Sequence, residues 1–374
     1  MSEYQFYEFK SIDKPLSKED KNQIGTWSSR TNPTNTGAIF TYSYGDFPKD
    51  EVSVVEKYFD AMFYISNWGT VRLIFKFPKE IFEVDRIKQY CIEDGLKMIE
   101  KSNCFILELS FSEEEGGRWI DGEGWLASLV SLREDIMNGD YRSLYLIWLK
   151  NSIAAIENEW GNSDENQLEP PVPIELSELN GALHDFIEIF DIDKDYIVAA
   201  IENSPSLIDE KTTGTECYIE KLSESEKHEF LVRLLNNEAL LSAKLRNRLK
   251  ELSGPNHSIV QESNRRSVGE LAKRVEGIRQ GRKIKKKKEK EEAYLQKMND
   301  LKLHQNDYWT KVYQLIADKN SKAYDEAIKV LKDLKELSIH QGSYPDYCNK
   351  IDLIKNKYSR LSGLTSRISD AKLI

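Results

Sequence analysis

No two of the four cysteines, Cys91, Cys104, Cys217 and Cys348, form a C-x-x-C pair. Neither a zinc site nor a disulfide framework is therefore indicated, and the residues read as reduced thiols in a cytoplasm. No apolar run approaches the roughly 20 residues needed to span a bilayer. The opening MSEYQFYEFK lacks the basic start and apolar stretch of a secretion signal, so neither secretion nor membrane insertion is expected. The five histidines, His184, His228, His257, His304 and His340, lie far apart with no H-E-x-x-H pairing. Nucleophile elbows, G-x-x-x-x-G-K-S/T loops and G-x-G-x-x-G turns are also missing. Common hydrolase, nucleotide and dinucleotide chemistry has no local signature, and the expectation is of no catalytic residue, no metal and no cofactor.

What the chain does have is 40% hydrophobic and 31% charged residues over 374 positions, enough for two or three ordinary domains. Its formal charge of −10 is unevenly spread. Between Arg265 and Lys290 twelve Lys and Arg stand against three acids, Glu270, Glu276 and Glu289. Such a local excess suits an arm that meets polyanions or lies against acidic surface of the same chain.

Periodicity gives the organisation. YQFYEFKSI reads as a strand, and Ser17 with Asp20 three residues later reads as a helix start. Ala38 to Tyr44 is a second strand. A helix from about Asp50 is expected to carry Val54, Val55, Tyr58, Phe59 and Met62 on one side. Val71, Leu73, Phe75 and Phe77 alternate with Arg72 and Lys76, as do Phe105, Leu107, Leu109 and Phe111 around Glu108. From Trp125 onward the period is helical and no further strand is needed. Glu169-Pro170-Pro171-Val172-Pro173 reads as a stiff break. The reading is an α+β protein: an N-terminal mixed domain with a mainly antiparallel sheet (1–168), a helical domain (174–253), a basic linker or helix (254–300) and a C-terminal helical bundle (301–374). Within the bundle, YDEAIKVLKDLKEL resembles one tetratricopeptide-like helix without a 34-residue repeat to extend it.

Two acidic clusters invite a metal reading. Glu113, Glu114, Glu115, Asp121 and Glu123 gather among four glycines, but acids and glycines also make ordinary solvated turns. Asp191, Asp193, Asp195 and Glu202 imitate the spacing of a calcium loop, yet Tyr196 stands where the sharp turn needs glycine, and Asp193 reads better as a helix cap. The basic run offers Arg282, Lys283, Lys285, Lys286, Lys287 and Lys288 for phosphate contact, with no interleaved aromatic to stack a base. Trp68 and Trp125 adjoin tight turns and are interface candidates, as are Trp309 and Tyr313 in the C-terminal bundle.

The segments YEFKSIDKPLSKED, YFDAMFYISNWGT, DGEGWL, EPPVP and YDEAIKVLKDLKEL, in that order, resemble a family of bacterial hypothetical proteins across nearly the whole chain. The resemblance implies a bacterial cytoplasmic protein with a charged central helix, and it transfers no catalytic residue. It also implies multi-gene, defence-related systems, and hence a partner-binding role. The expected function is a non-enzymatic interaction, scaffold or regulatory component that docks another protein through its C-terminal helices. The alternatives are sequence-independent nucleic-acid association through residues 265–290, and an enzyme of unrecognised type.

Overall fold

The structure is a computed structural model, and it describes residues 3–93, 95–112, 120–157, 165–204, 215–236, 238, 240–253 and 265–373. Strand β1 (Gln5–Lys10) is flanked on both sides, by β2 (Gly37–Tyr42) and by β3 (Ala61–Ser66). The sheet continues through β4 (Thr70–Pro78) and β6 (Cys104–Ser112) and ends at β5 (Leu96–Glu100). The order is β2-β1-β3-β4-β6-β5, and every pairing is antiparallel.

Alternation along the strands splits the side chains between two cores. Phe63, Ile65, Leu73, Phe75, Leu107 and Leu109 face one way. Met62, Tyr64, Ile74 and Ile106 face the other. Two short helices cover this second face: α1 (Lys18–Gly25), opened by the Ser17–Asp20 capping box, and α2 (Glu51–Tyr58), capped by Asp50. After α3 (Val84–Lys88), a helical layer covers the first face. It comprises α4 (Trp125–Leu129), α5 (Ser131–Met137), α6 (Arg142–Glu157), α7 (Gly181–Ile189) and α8 (Lys194–Ile201). In α6 the run Leu144 to Leu149 is buried on all sides, as a helix enclosed in a core must be.

Three expectations change. The helix from Asp50 stops at Tyr58, and Phe59 is already extended, so Met62 belongs to β3. That strand is buried at every position and therefore shows no alternation, which is why its apolar run passes for a helical stripe. The proline segment is no domain break. Pro170 and Val172 are buried, the Tyr90 hydroxyl donates to the Pro171 carbonyl (2.9 Å) and Ser204 to that of Pro173 (2.7 Å). Leu183 and Phe186 beyond it share the first core with the sheet. The chain divides instead into two units, Met1–Ile278 and Arg279–Ile374.

Beyond α9 (Glu224–Leu235) and α10 (Leu241–Ser253) runs the long helix α11 (Val268–Leu303). The second unit adds α12 (Gln305–Ala317), α13 (Ser321–His340), α14 (Tyr344–Lys357) and α15 (Ser362–Asp370). The first three pack Val312 and Ile316, Leu331 and Leu334, and Ile351 and Ile354 into one core. The fourth closes their core with Leu364 and Ile368.

Candidate functional site

Helix α11 is pinned at its start. Ser267 and Glu270 form a reciprocal cap, Glu270 N–H donating to the Ser267 hydroxyl (3.2 Å) and Ser267 N–H to the Glu270 carboxylate (2.8 Å). Just before it, Arg266 makes a forked pair to Glu169 (2.7 and 3.0 Å) and donates to the Ala199 carbonyl (2.8 Å). Tyr145 donates to the same carboxylate at 2.5 Å. Glu169 is buried, and burial pushes the Tyr145 phenol far up, with the Glu169 charge acting in the same direction. Val268, Leu271 and Val275 then enter the first unit's core.

The lower part of the helix packs Met298 and Leu301 against Leu337 of α13, with Lys297 paired to Asp333 (2.6 Å) and Glu336 (3.1 Å). Every residue from Gln280 to Lys297 is exposed. Arg282, Lys283, Lys285, Lys286, Lys287 and Lys288 all lie in that stretch. The tether left open as helix or flexible chain is therefore helix from Val268 onward, whereas residues 254–264, at its start, lie outside the described residues.

The two tryptophan turns, far apart in sequence, meet through Tyr4. Asn67, beside Trp68 in the β3–β4 hairpin, exchanges hydrogen bonds with the Tyr4 backbone (3.0 and 3.1 Å). The Tyr4 hydroxyl reaches Asp121 (3.4 Å), whose carbonyl accepts from the Trp125 indole (2.8 Å). Trp68 is 40% exposed, while Trp125 rests against the first core. Gly122 is required here, because a Cβ would stand 2.2 Å from the Phe6 ring. In the second unit Trp309 is only 8% exposed, close to Tyr347 and beneath the Lys350 ammonium, whereas Tyr313 is 38% exposed.

The acidic clusters resolve differently. Residues 113–119 lie outside the described residues. Asp193 caps α8 by accepting from Asp195 N–H (2.8 Å), and Glu202 is taken by Arg274 (2.6 and 2.7 Å). Among the described residues no group of three His, Cys, Asp or Glu is placed to hold a metal, and no helix is long and apolar enough to cross a membrane. The thiols of Cys91, Cys104 and Cys348 are free.

Sequence reasoning missed a buried charge network under a cleft of about 630 Å³ lined by Asp13, Lys14, Asp60, Lys76 and Lys244. Asp60 accepts from the amides of Ile12 (2.7 Å) and Asp13 (2.9 Å) and pairs with Lys76 at 3.0 Å. Burial alone would raise its carboxyl, but Lys76 and the two amides win and hold it below its ordinary value. Arg133, 1% exposed, forks onto Asp13 (2.8 and 2.7 Å) and donates to the Lys76 carbonyl (2.7 Å). Asp13, Asp60, Lys76 and Arg133 each already have a partner, which suits a structural lock. The one local signal was Arg133 inside the apolar stripe of Leu132 and Ile136; its partner lies 120 residues away.

No family model matches the chain, and neither a curated protein nor a solved structure does.

Proposed function

We propose that the chain is a non-enzymatic interaction protein of the cytoplasm, a scaffold or regulatory component that docks another protein through the helices of its C-terminal unit. The observation that carries this reading is the behaviour of α11. The helix contributes side chains to the first unit's core and to a small apolar cluster with Leu337 in the second, and is exposed from Gln280 to Lys297, which suits a chain that carries two separately packed bodies. On the second unit large apolar side chains remain exposed, among them Leu303, Tyr313, Ile339 and Leu353. Aromatic and aliphatic anchors of this kind supply the centre of protein interfaces.

The test is affinity capture from the native host with the full chain and with a full chain carrying Tyr313→Glu and Leu353→Glu, each with and without nuclease. A protein recovered in stoichiometric amount, resistant to nuclease and lost with the two substitutions, is the expected result. Recovery of the same protein by both chains, or of nucleic acid alone, counts against the reading. A chain cut before Arg265 is a poor control, because it also strips Val268, Leu271 and Val275 from the first core.

A further inference from the structure

The six cations singled out by sequence do not share one side of α11. At 100° per residue, setting Arg282 at zero puts Lys286, Arg279, Lys290, Lys283 and Lys287 at about 40, 60, 80, 100 and 140°. Lys288 and Lys285 fall at about 240 and 300°, on the other side of the helix. Lys285 there lies 4.0 Å from Glu289. Glu291, Glu292 and Ile284 also lie outside the basic arc. From Arg279 to Lys290 that arc is cationic at every position, and its four lysines are exposed.

We propose that this face, with Lys283, Lys286, Lys287 and Lys290 at its centre, binds the phosphate backbone of duplex nucleic acid without reading its sequence. Three features favour this occupant over an acidic protein or a single strand. Protein interfaces are depleted in lysine and built on apolar anchors, and this arc has four lysines and no anchor. Single-strand platforms stack bases on aromatic rings, and no aromatic residue lies between Arg279 and Lys290. Arg279 to Lys290 spans about 16 Å of helix, over which a duplex presents a phosphate charge every ~1.7 Å of its axis. A straight helix can therefore place four ammonium groups on phosphates with no change of backbone. The inference is independent of the protein-docking reading, which rests on the second unit's apolar surface.

The experiment is fluorescence anisotropy with the full chain and a 20-base-pair duplex of arbitrary sequence, titrated between 50 and 200 mM KCl. Four neutralised phosphates give a slope of log K against log salt near −3.6, about 150-fold weaker binding across that range. K283E/K287E and K285E/K288E change the net charge equally but act on opposite sides of the helix. The front pair is expected to weaken binding at least tenfold and to bring the slope to about −1.8, two phosphates being lost. The back pair is expected to stay within about threefold of the parent. Circular dichroism of both variants checks that the helix persists. No binding at 50 mM KCl, an equal loss in both variants, or tighter binding to an acidic protein than to the duplex overturns the proposal.

Discussion

Arg133 and Asp13 are bonded by two charge-assisted hydrogen bonds but are not equally buried: their side chains are 2% and 19% exposed. The two ways of breaking the pair should therefore differ in cost. Asp13→Asn leaves a guanidinium in the core with only a neutral amide and the Lys76 carbonyl as partners, and a stranded buried charge costs about 3–5 kcal/mol. Arg133→Met keeps most of the volume and leaves behind a carboxylate that water can reach. Its main loss is the donor to the Lys76 carbonyl together with the ion pair, about 2–3 kcal/mol. The double variant should cost less than the two added together, with a coupling of about 2 kcal/mol, because no charge remains to be stranded. Urea unfolding at neutral pH, followed by tryptophan fluorescence, reads all four corners of the cycle. At about 2–4 °C per kcal/mol, the Asp13→Asn melting temperature should fall by roughly 10 °C. The reasoning is refuted if Arg133→Met is the costlier change, or if the two costs simply add.

Acid should act through Asp60. Its carboxyl is held below the ordinary value, so its contribution is complete above about pH 4, where the unfolded carboxyl ionises, and is lost as pH falls through the folded value. Asp60→Asn should therefore flatten the decline of the urea midpoint below pH 4, and an unchanged decline would exclude this source. Gly277 and Gly281 sit inside α11 with open space or ordinary contact where a Cβ would go. Replacing each with Ala should stabilise the helix by about 1 kcal/mol, visible as slower amide exchange around residues 277–285; faster or equal exchange would contradict the open setting. Gly122→Ala, in contrast, drives a methyl into Phe6 and should cost about 1–3 kcal/mol, measured as a lowered urea midpoint of the first unit.

Elements with polar residues along one side were legible from sequence. β4 and β6 alternate because one face carries Arg72, Lys76 and Glu108, held as ion pairs with Glu51, Asp60 and one another beneath the covering helices, and α12 to α14 show their stripes because their far sides are wet. β3 was not legible, since burial on both faces erases the pattern. The proline segment misled for a related reason: stiffness along the chain says nothing about whether the chain lies on the surface or across a core, and here Tyr90 and Ser204 hold it in place. The basic run could be read as cationic, but not which lysines share a side; that needed the unbroken helix. The Asp13–Arg133 and Glu169–Arg266 pairs join residues 120 and 97 positions apart, and no local spacing reports such partners.

The placement of Val268, Leu271 and Val275 in the same core as the sheet also sets an order of events during synthesis. β1, β2 and β3 have all left the ribosome once the chain is somewhat longer than 66 residues, so the centre of the sheet can pair early. Its helical cover stays unfinished until residue 275 has been added, roughly 10–40 s later at ordinary elongation rates. Once Glu169 has been added, it and Tyr145 wait for Arg266 over a further 97 residues of synthesis. The nascent chain thus holds an open apolar face that its own basic helix seals on arrival, and slowing translation just upstream of Arg265 would lengthen the period in which a chaperone is needed.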